Sequence, residues 1–166
     1  MFDVPVLGTH AHSWIMSFPD EYTAFKTYAK LYPNACTLLV DTYDVLKSGV
    51  PNAIRVFKEM KQAGIHSKKY GIRLDSGDLA YLSKKARKML DDAGYTDTSI
   101  CLSNGLNEYT IRDLKNQGAC IDSLGVGDNI SASKERLGGV YKLVAVNNNG
   151  EIIPKIKVSN DSIKTT

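Results

Sequence analysis

The sequence predicts an α/β protein organised around a parallel β-sheet, because short apolar runs alternate with longer segments of helical periodicity. β-Branched and apolar residues dominate four runs that are typical of buried parallel strands: residues 36–40, 71–74, 99–102 and 121–125. Apolar residues recur at helical spacing in four longer segments: residues 20–32, 51–63, 78–93 and 108–117. Strands and helices that alternate through short connections predict a parallel sheet, either open or closed into a barrel.

The periodicity of each predicted helix is visible in its apolar positions. The first two helices place them at Tyr22, Phe25, Tyr28, Ala29 and Tyr32, and at Ile54, Phe57 and Met60. The next two place them at Leu79, Leu82, Ala86, Met89 and Leu90, and at Ile111 and Leu114. A glycine follows each of the last three helices, at positions 64, 94 and 118, where glycine commonly ends a helix.

The C-terminal part of the chain follows another pattern. Residues 140–146 and 152–158 are rich in β-branched residues and flank the run Asn147-Asn148-Asn149-Gly150. An Asn-Gly pair between two such runs is a strong signal for a β-hairpin. We therefore expect a hairpin after the alternating strands and helices.

Composition and charge exclude several classes of protein. The chain has 166 residues, 43% hydrophobic and 23% charged, and 21 basic against 18 acidic residues give a net charge of +3. These proportions are typical of a globular chain, and the small surplus is not gathered on one face, which disfavours a nucleic-acid partner. No apolar run approaches the ~18 residues needed to span a membrane, and the N-terminus does not resemble a signal peptide.

The cysteines point to a reducing compartment. Cys36, Cys101 and Cys120 form an odd set without C-x-x-C spacing, and each lies in or beside an apolar segment. This pattern favours reduced, buried thiols over a zinc site, a disulfide framework or a catalytic thiol. A cytoplasmic location is the expectation.

Polar residues and glycines follow each predicted strand. In chain order these groups are Asp41 with Asp44, then Asp75 with Ser76-Gly77-Asp78, then Ser103-Asn104-Gly105, then Gly125-Val126-Gly127-Asp128. In a parallel sheet these positions share the carboxyl edge of the strands, where open sheets and barrels both bind ligands. The four groups are therefore expected to meet at one candidate site.

Each of these residues also has a purely structural explanation. Asp41 or Asp78 could cap the helix that follows it, and a glycine after a strand commonly makes the turn. Arg73 and Asp75 lie two residues apart on a strand, so their side chains point the same way while Ile72 and Leu74 face the helices. Burial of these two charges requires that they pair with each other or hold a ligand, and both explanations remain open.

The glycine-rich ends suggest a phosphate ligand. Ser76-Gly77 and Gly125-Val126-Gly127 offer backbone N–H groups near helix starts, which is an arrangement that binds phosphate. Carboxylates beside such loops suggest Mg²⁺ bound between the protein and a polyphosphate, since Mg²⁺ takes one or two carboxylates together with substrate oxygens.

Two histidines precede the first long helix. His10 and His12 are two residues apart and could face one way on an extended segment. No third residue is suitably spaced to complete a zinc site. Each histidine could be buried and hydrogen-bonded, or could act as a nucleophile, since neutral imidazole accepts a phosphoryl group.

Five segments, in order, closely resemble nicotinate phosphoribosyltransferase. They are residues 8–14 (GTHAHSW), 40–44 (VDTYD), 71–79 (GIRLDSGDL), 125–127 (GVG) and 140–143 (VYKL). The likeness covers nearly the whole chain. It implies a TIM-like type II phosphoribosyltransferase barrel, of which residues 1–138 are a partial catalytic region and residues 139–166 a truncated C-terminal hairpin segment.

The resemblance also implies a reaction and its substrates. The family acts in NAD salvage: it joins nicotinate to phosphoribosyl pyrophosphate, releasing nicotinate mononucleotide and pyrophosphate, and couples this to ATP hydrolysis. It implies ATP as co-substrate, Mg²⁺ as cofactor and a homodimer. Two alternatives stay open: another type II phosphoribosyltransferase, for nicotinamide or quinolinate, or a non-catalytic phosphate-binding or assembly fragment.

The resemblance assigns roles to eleven residues. His12 is implied to be transiently phosphorylated by ATP, Asp75 to act through Mg²⁺ and the pyrophosphate, and Asp41 to act near the ribose. Thr9 and Arg73 are implied to contact nicotinate. The remaining six are implied to hold the ribose and the 5-phosphate: Ser103, Asn104, Gly105, Gly125, Val126 and Gly127.

The sequence departs from the family in length and at two positions. Family chains extend well upstream of residue 8 and past residue 166, so an internal fragment is expected, which lacks the aromatic residue that stacks on nicotinate and is inactive alone. Gly105 stands where relatives often have an acidic residue, and Asp128 where a small hydroxyl is common. A carboxylate at position 128 would repel a phosphate unless it turned away or was bridged by metal.

Overall fold

The computed structural model describes residues 8–65, 70–131 and 139–157 of the chain. The strands are β1 (Thr37–Leu39), β2 (Gly71–Leu74), β3 (Ser99–Ser103), β4 (Ser123–Gly125), β5 (Ala145–Asn148) and β6 (Glu151–Pro154). The helices are α1 (His12–Met16), α2 (Glu21–Leu31), α3 (Val50–Gln62), α4 (Leu79–Asp92), α5 (Glu108–Asn116) and α6 (Asp128–Ser131). A π-helical turn (Val45–Gly49) directly precedes α3. The predicted α/β class is confirmed.

The main sheet is parallel, with the strands in the order β1-β2-β3-β4. Leu39 pairs with Arg73, Arg73 with Cys101, and Cys101 with Ser123, so the four strands end at one edge. The four predicted strands and the four predicted long helices are all present, with ends that differ by at most two residues. In the described residues the sheet is four-stranded and open.

The two faces of the sheet differ in chemistry. One face packs into the apolar core through fully buried side chains: Leu38, Ile72, Leu74, Ile100 and Leu102. The opposite face presents Arg73, Cys101 and Ser103 in the alternate positions of β2 and β3. On β2 and β3 this alternation separates Arg73 and Ser103 from the buried apolar side chains, whereas on β1 Leu39, which pairs with Arg73 and shares its face, is buried in the core.

The predicted hairpin is present but shorter than expected. Its turn residues Asn149 and Gly150 have φ values of 52° and 96°, and two left-handed residues make the type I′ turn that suits a two-residue hairpin. The prediction that a strand begins at residue 140 is wrong, since β5 begins at Ala145. Ala145 pairs with Pro154, which has no N–H to donate, and the antiparallel ladder ends there. Residue 158, the predicted end of the second strand, lies outside the described residues.

The segment with the two histidines is not uniformly extended. His12 is the first residue of α1, a short helix that sequence reasoning did not predict. The possibility that His10 and His12 share one face of an extended segment is therefore not realised, because a helix begins at His12. Within the described ranges, no helix combines the length and the apolar character needed to cross a membrane.

Candidate active site

Arg73 is the centre of a hydrogen-bond network at the carboxyl edge of the sheet. Its Nε donates to Ser103 Oγ at 2.8 Å, one terminal nitrogen donates to Thr9 Oγ1 at 3.0 Å, and the other donates to Asp75 Oδ1 at 3.0 Å. Ser103 Oγ also donates to Asp75 Oδ1 at 2.6 Å. Residues from β2, β3 and the segment before α1 thus meet at one point.

Arg73 and Asp75 form an ion pair, and both side chains can still bind other groups. The two side chains are 30% and 23% exposed, so the pair remains open to solvent. Three hydrogen bonds engage three of the five N–H donors of the guanidinium. As far as the described residues go, two donors are therefore left that could bind a planar carboxylate.

The two aspartates that could have been helix caps have different roles. Asp78 caps α4, since its Oδ1 accepts from Tyr81 N at 2.9 Å. Asp41 caps no helix: it is 3% exposed, and its Oδ2 accepts from Asp75 N at 3.2 Å and from the hydroxyl of Ser76. Asp44 is the residue that caps the following π-helical turn. A buried carboxylate at the strand end, without a capping role, marks Asp41 as a candidate functional group.

His12 faces both carboxylates. Its Nδ1 lies 3.1 Å from Thr42 Oγ1, and its Nε2 lies 3.8 Å from Asp41 Oδ1 and 3.7 Å from Asp75 Oδ2. His12 Nε2 and Asp41 Oδ1 are buried atoms with no hydrogen-bond partner among the described residues. One ring nitrogen is thus held in place, while the other faces a polar gap that a ligand atom could fill.

His10 is the buried histidine of the pair. Its Nε2 accepts from Leu39 N at 3.2 Å, and its ring packs edge-on against Tyr28 with centroids 4.6 Å apart. Burial lowers the pKa of His10 from 6.5 to about 4, so the ring is neutral near pH 7. In the described part of the chain, no group of three or more His, Cys, Asp or Glu side chains is arranged to hold a metal ion.

The glycine-rich loops after β3 and β4 lie side by side. Ser103 pairs with Gly125, and a Cβ at position 125 would lie 3.1 Å from the Cβ of Ser103, so glycine permits this close approach. Asn104 and Gly105 both have left-handed φ values, 117° and 56°. Asn129 donates from Nδ2 to the carbonyl of Gly105 at 2.9 Å, tying one loop to the other.

The residues that follow Gly125 in the loop after β4 are less enclosed by neighbouring atoms. Val126 is partly buried and packs against the core, so its contribution to a ligand site is its backbone. Gly127 has open space around the position of a Cβ, and its carbonyl accepts from Ile130 N at 2.9 Å. Asp128 is exposed and begins α6, and it is not among the hydrogen-bond partners of Arg73.

Sequence reasoning missed Lys157. This lysine follows β6, is only 3% exposed, and its Nζ lies 3.4 Å from Ser76 Oγ, the same hydroxyl that contacts Asp41. It therefore brings a positive charge to the carboxylates from a part of the chain 81 positions away. No local motif could have indicated it, because the contact depends on how the hairpin segment returns to the sheet.

The cysteines are free, as the sequence predicted. Cys36 is buried, and burial raises the pKa of its thiol to about 12. Cys101 and Cys120 are only partly buried, so the expectation of buried thiols holds fully for Cys36 alone of the three. Cys101 pairs with Arg73 in the neighbouring strand, so its side chain lies on the same face of the sheet as Arg73.

A parallel α/β sheet that gathers charged and polar groups at its carboxyl edge is the arrangement of an α/β enzyme site. Comparisons with known proteins show which enzymes of this class the chain is similar to. The chain is 54% identical over 167 residues to nicotinate phosphoribosyltransferase of Bacillus subtilis, covering 99% of this chain and 33% of that protein. No protein-family model matches.

Two solved structures share the fold. Human nicotinic acid phosphoribosyltransferase superimposes with a TM-score of 0.66 at 27% identity, covering 74% of this chain and 35% of that chain. Nicotinate-nucleotide pyrophosphorylase from Pyrococcus furiosus superimposes with a TM-score of 0.60 at 26% identity, covering 77% of this chain and 32% of that chain.

The resemblance found from the five motifs is confirmed: over nearly its whole length the chain is homologous to a segment of the nicotinate phosphoribosyltransferases. It spans about a third of the length of the curated relatives it matches.

Proposed function

We propose that the chain is part of a nicotinate phosphoribosyltransferase of NAD salvage. The enzyme would join nicotinate to phosphoribosyl pyrophosphate and release nicotinate mononucleotide and pyrophosphate, with ATP hydrolysed alongside. The observation that carries the proposal is the position of His12 Nε2, which faces Asp41 and Asp75 beside the Arg73 network. The 54% identity to a relative of that name supports the same activity.

Arg73 and Thr9 would recognise nicotinate. The two uncommitted N–H donors of the guanidinium suit the pyridine carboxylate, because a planar fork of donors matches two carboxylate oxygens. Thr9 Oγ1 lies 3.0 Å from Arg73 at the same place, and its hydroxyl, which donates to His10 O at 3.2 Å, would turn to donate to the ligand instead. A ligand without a carboxylate would not offer two equivalent oxygens to these donors, which favours nicotinate over nicotinamide.

The loops after β3 and β4 would hold the phosphoribosyl group. Their backbone N–H groups at residues 103–105 and 125–127 would bind the ribose and the 5-phosphate. Asp41, deeply buried at the strand end, would favour the positive charge that develops on the ribose as the pyrophosphate leaves. Lys157 would offset part of the negative charge that Asp41 and the pyrophosphate bring together.

The two carboxylates suit a magnesium ion that also binds substrate. Asp75 and the unpartnered Oδ1 of Asp41 offer two oxygen ligands, too few for a complete protein site but typical of Mg²⁺ held jointly with phosphates. When bound, Mg²⁺ would stabilise the negative charge of the leaving pyrophosphate. Asp75 would remain oriented by Arg73 and Ser103.

His12 would accept a phosphoryl group from ATP. Donation from Nδ1–H to Thr42 Oγ1 would leave the lone pair on Nε2, which would form a bond to the γ-phosphorus as the bond to the ADP oxygen breaks. The phosphohistidine would place about two negative charges beside Asp41 and Asp75, and this repulsion could reshape the loops that bind the sugar phosphate.

The intact protein is expected to contain a complete barrel and to form a dimer. We propose that residues 1–138 are part of a type II phosphoribosyltransferase barrel and that residues 139–166 are a truncated C-terminal hairpin segment. The exposed β4 supports this, since a barrel would cover the outer edge of that strand with the next one. A cytoplasmic homodimer is the expected state of the intact protein, and sedimentation of that protein tests the dimer.

Product formation tests the function. The intact protein, expressed from its complete reading frame, is incubated with phosphoribosyl pyrophosphate, ATP and Mg²⁺, and with nicotinate, nicotinamide or quinolinate. We expect nicotinate mononucleotide from nicotinate only, in an amount that rises with ATP, and no product from residues 1–166 alone. Product from nicotinamide or quinolinate instead would favour another type II enzyme. Binding of phosphoribosyl pyrophosphate without any product would favour the non-catalytic alternative.

A further inference from the structure

Glu21 is a buried carboxyl group outside the candidate site. It is 3% exposed, in the first turn of α2, and its Oε2 accepts from Ser48 Oγ and from Asn52 Nδ2, the latter at 3.1 Å. Its Oε1 is buried with no hydrogen-bond partner in the described part of the chain. Burial raises the pKa of Glu21, and the negative charges of Asp41 and Asp44 raise it further. A position so unfavourable for a carboxylate suggests a specific role.

The partners of Glu21 belong to the π-helical turn that follows the strand end. Ser48 lies in this turn, and Gly49 N donates to Asp44 O at 2.8 Å, the five-residue spacing of a π-helix. A π-helical turn holds one more residue than an α-helical turn and is often found at functional sites. Glu21 thus ties α2 to the one irregular turn between β1 and α3.

Gly49 places that turn directly against the end of β1. A Cβ at position 49 would lie only 1.9 Å from the carbonyl oxygen of Val40, so no other residue fits without moving the backbone. Val40 is the residue before Asp41, and its N donates to Arg73 O at 3.1 Å. The π-helical turn therefore packs directly against the start of the loop that contains Asp41 and Thr42.

That loop supplies two of the contacts of His12. Thr42 Oγ1 lies 3.1 Å from His12 Nδ1, and Asp41 Oδ1 lies 3.8 Å from His12 Nε2. Both residues lie between the Val40 carbonyl and the π-helical turn. A shift of the turn would therefore displace both contacts together.

We propose that Glu21 is a positioning residue for the proposed reaction: through Ser48 it holds the π-helical turn against Val40 and so keeps Asp41 and Thr42 in place around His12. The claim about catalysis rests on the proposed function, since it presumes that His12 is the phosphorylated group. Glu21 itself touches neither substrate nor His12 in this account.

Four variants of the intact protein test the proposal. Glu21→Ala and Ser48→Ala remove the link, whereas Glu21→Gln keeps an acceptor for Ser48. Ser83→Ala is the matched control, because Ser83 is also a helix serine, buried, and bonded to Ala80 O and Cys120 N away from His12. We expect Glu21→Ala and Ser48→Ala to lower the rate of His12 phosphorylation and kcat by about tenfold, with the KM for nicotinate unchanged. Glu21→Gln should keep most of the activity.

Two results of the activity measurements would overturn the proposal. One is that Glu21→Ala and Ser48→Ala lose no more activity than Ser83→Ala, and the other is that Glu21→Gln is as impaired as Glu21→Ala. A wild-type protein without product formation would instead overturn the proposed function. In that case, crystal structures of the wild type and of Ser48→Ala test whether Glu21 is a positioning residue. A displaced loop at Asp41 and Thr42 supports that role, and an unmoved loop overturns it.

Discussion

His12 Nε2 lies 3.8 Å from Asp41 Oδ1, and neither atom has a hydrogen-bond partner within the described residues. The distance is too long for a direct hydrogen bond but leaves room for a shared polar ligand. Each unsatisfied buried polar group costs about 1–3 kcal/mol of stability, a cost that a bound ligand atom would remove. The pair is therefore better explained as part of a binding site than as part of the protein's own scaffold.

Replacement of Asp41 by asparagine should abolish most of the activity without unfolding the protein. Asparagine keeps an oxygen for Asp75 N but removes the charge that would stabilise the developing positive charge on the ribose. We expect kcat to fall about 100-fold in the intact protein. Asp44→Asn is the matched control, since Asp44 is exposed and asparagine also caps a helix well. Equal activity of the two variants would contradict this role for Asp41.

Arg73→Lys should weaken nicotinate binding. Lysine keeps the charge but loses the fork of N–H donors and the three hydrogen bonds to Thr9, Asp75 and Ser103. Steady-state kinetics should show the KM for nicotinate raised about tenfold or more. Arg87→Lys provides the control, because Arg87 also makes several hydrogen bonds, to Asp91 and to the carbonyls of Tyr95 and Thr98, but these lie before the start of β3 and not at its carboxyl end. An Arg73→Lys protein with an unchanged KM would remove Arg73 from the nicotinate site.

His10 should make the protein less stable in mild acid. Its pKa is about 4 when folded and 6.5 ordinarily, so below pH 6.5 the unfolded chain takes up a proton that the folded chain does not. Stability should thus fall as the pH decreases from 6.5 to about 4, by about 3 kcal/mol in total from this residue. Urea unfolding of the wild type and of His10→Gln at a series of pH values measures the difference. Identical slopes in the two proteins would show that His10 is not buried in this way.

Glu21 should make the protein less stable as the pH rises, which is opposite to the effect of His10. Burial raises the pKa of this carboxyl above its ordinary value of 4.5, so its contribution to stability is present below pH 4.5 and is lost as the pH rises through the raised value. Glu21→Gln removes this loss and should be more stable than the wild type at neutral pH, but not at pH 4. Urea unfolding at both pH values measures the effect. Because His10 titrates in an overlapping range, the comparison is cleanest in a His10→Gln background.

The sheet and its helices could be predicted because their signals are local. An apolar run such as residues 71–74 and an amphipathic run such as residues 78–93 carry their own periodicity, and both were found within a residue of their observed ends. The meeting of Asp41, Asp75 and Ser103 followed from the geometry of a parallel sheet. The gathering of groups at the strand ends can therefore be predicted from the sequence alone.

The features that were missed depend on contacts between distant parts of the chain. Lys157 reaches Ser76 only because the hairpin segment returns to the sheet. Glu21 looks like an ordinary residue of a helix start until Ser48 is seen against it. The π-helical turn follows from the approach of Gly49 to Val40, which no propensity scale encodes. The helix α1 spans only five residues, too few for periodicity to reveal it.

The site of phosphorylation by ATP tests the central claim most directly. The intact protein is incubated with γ-labelled ATP and Mg²⁺, digested at alkaline pH, where phosphohistidine survives, and mapped by mass spectrometry. The account predicts label on His12, and loss of both the label and the stimulation by ATP in His12→Ala. Label on another residue, or full ATP-stimulated turnover by His12→Ala, would contradict it.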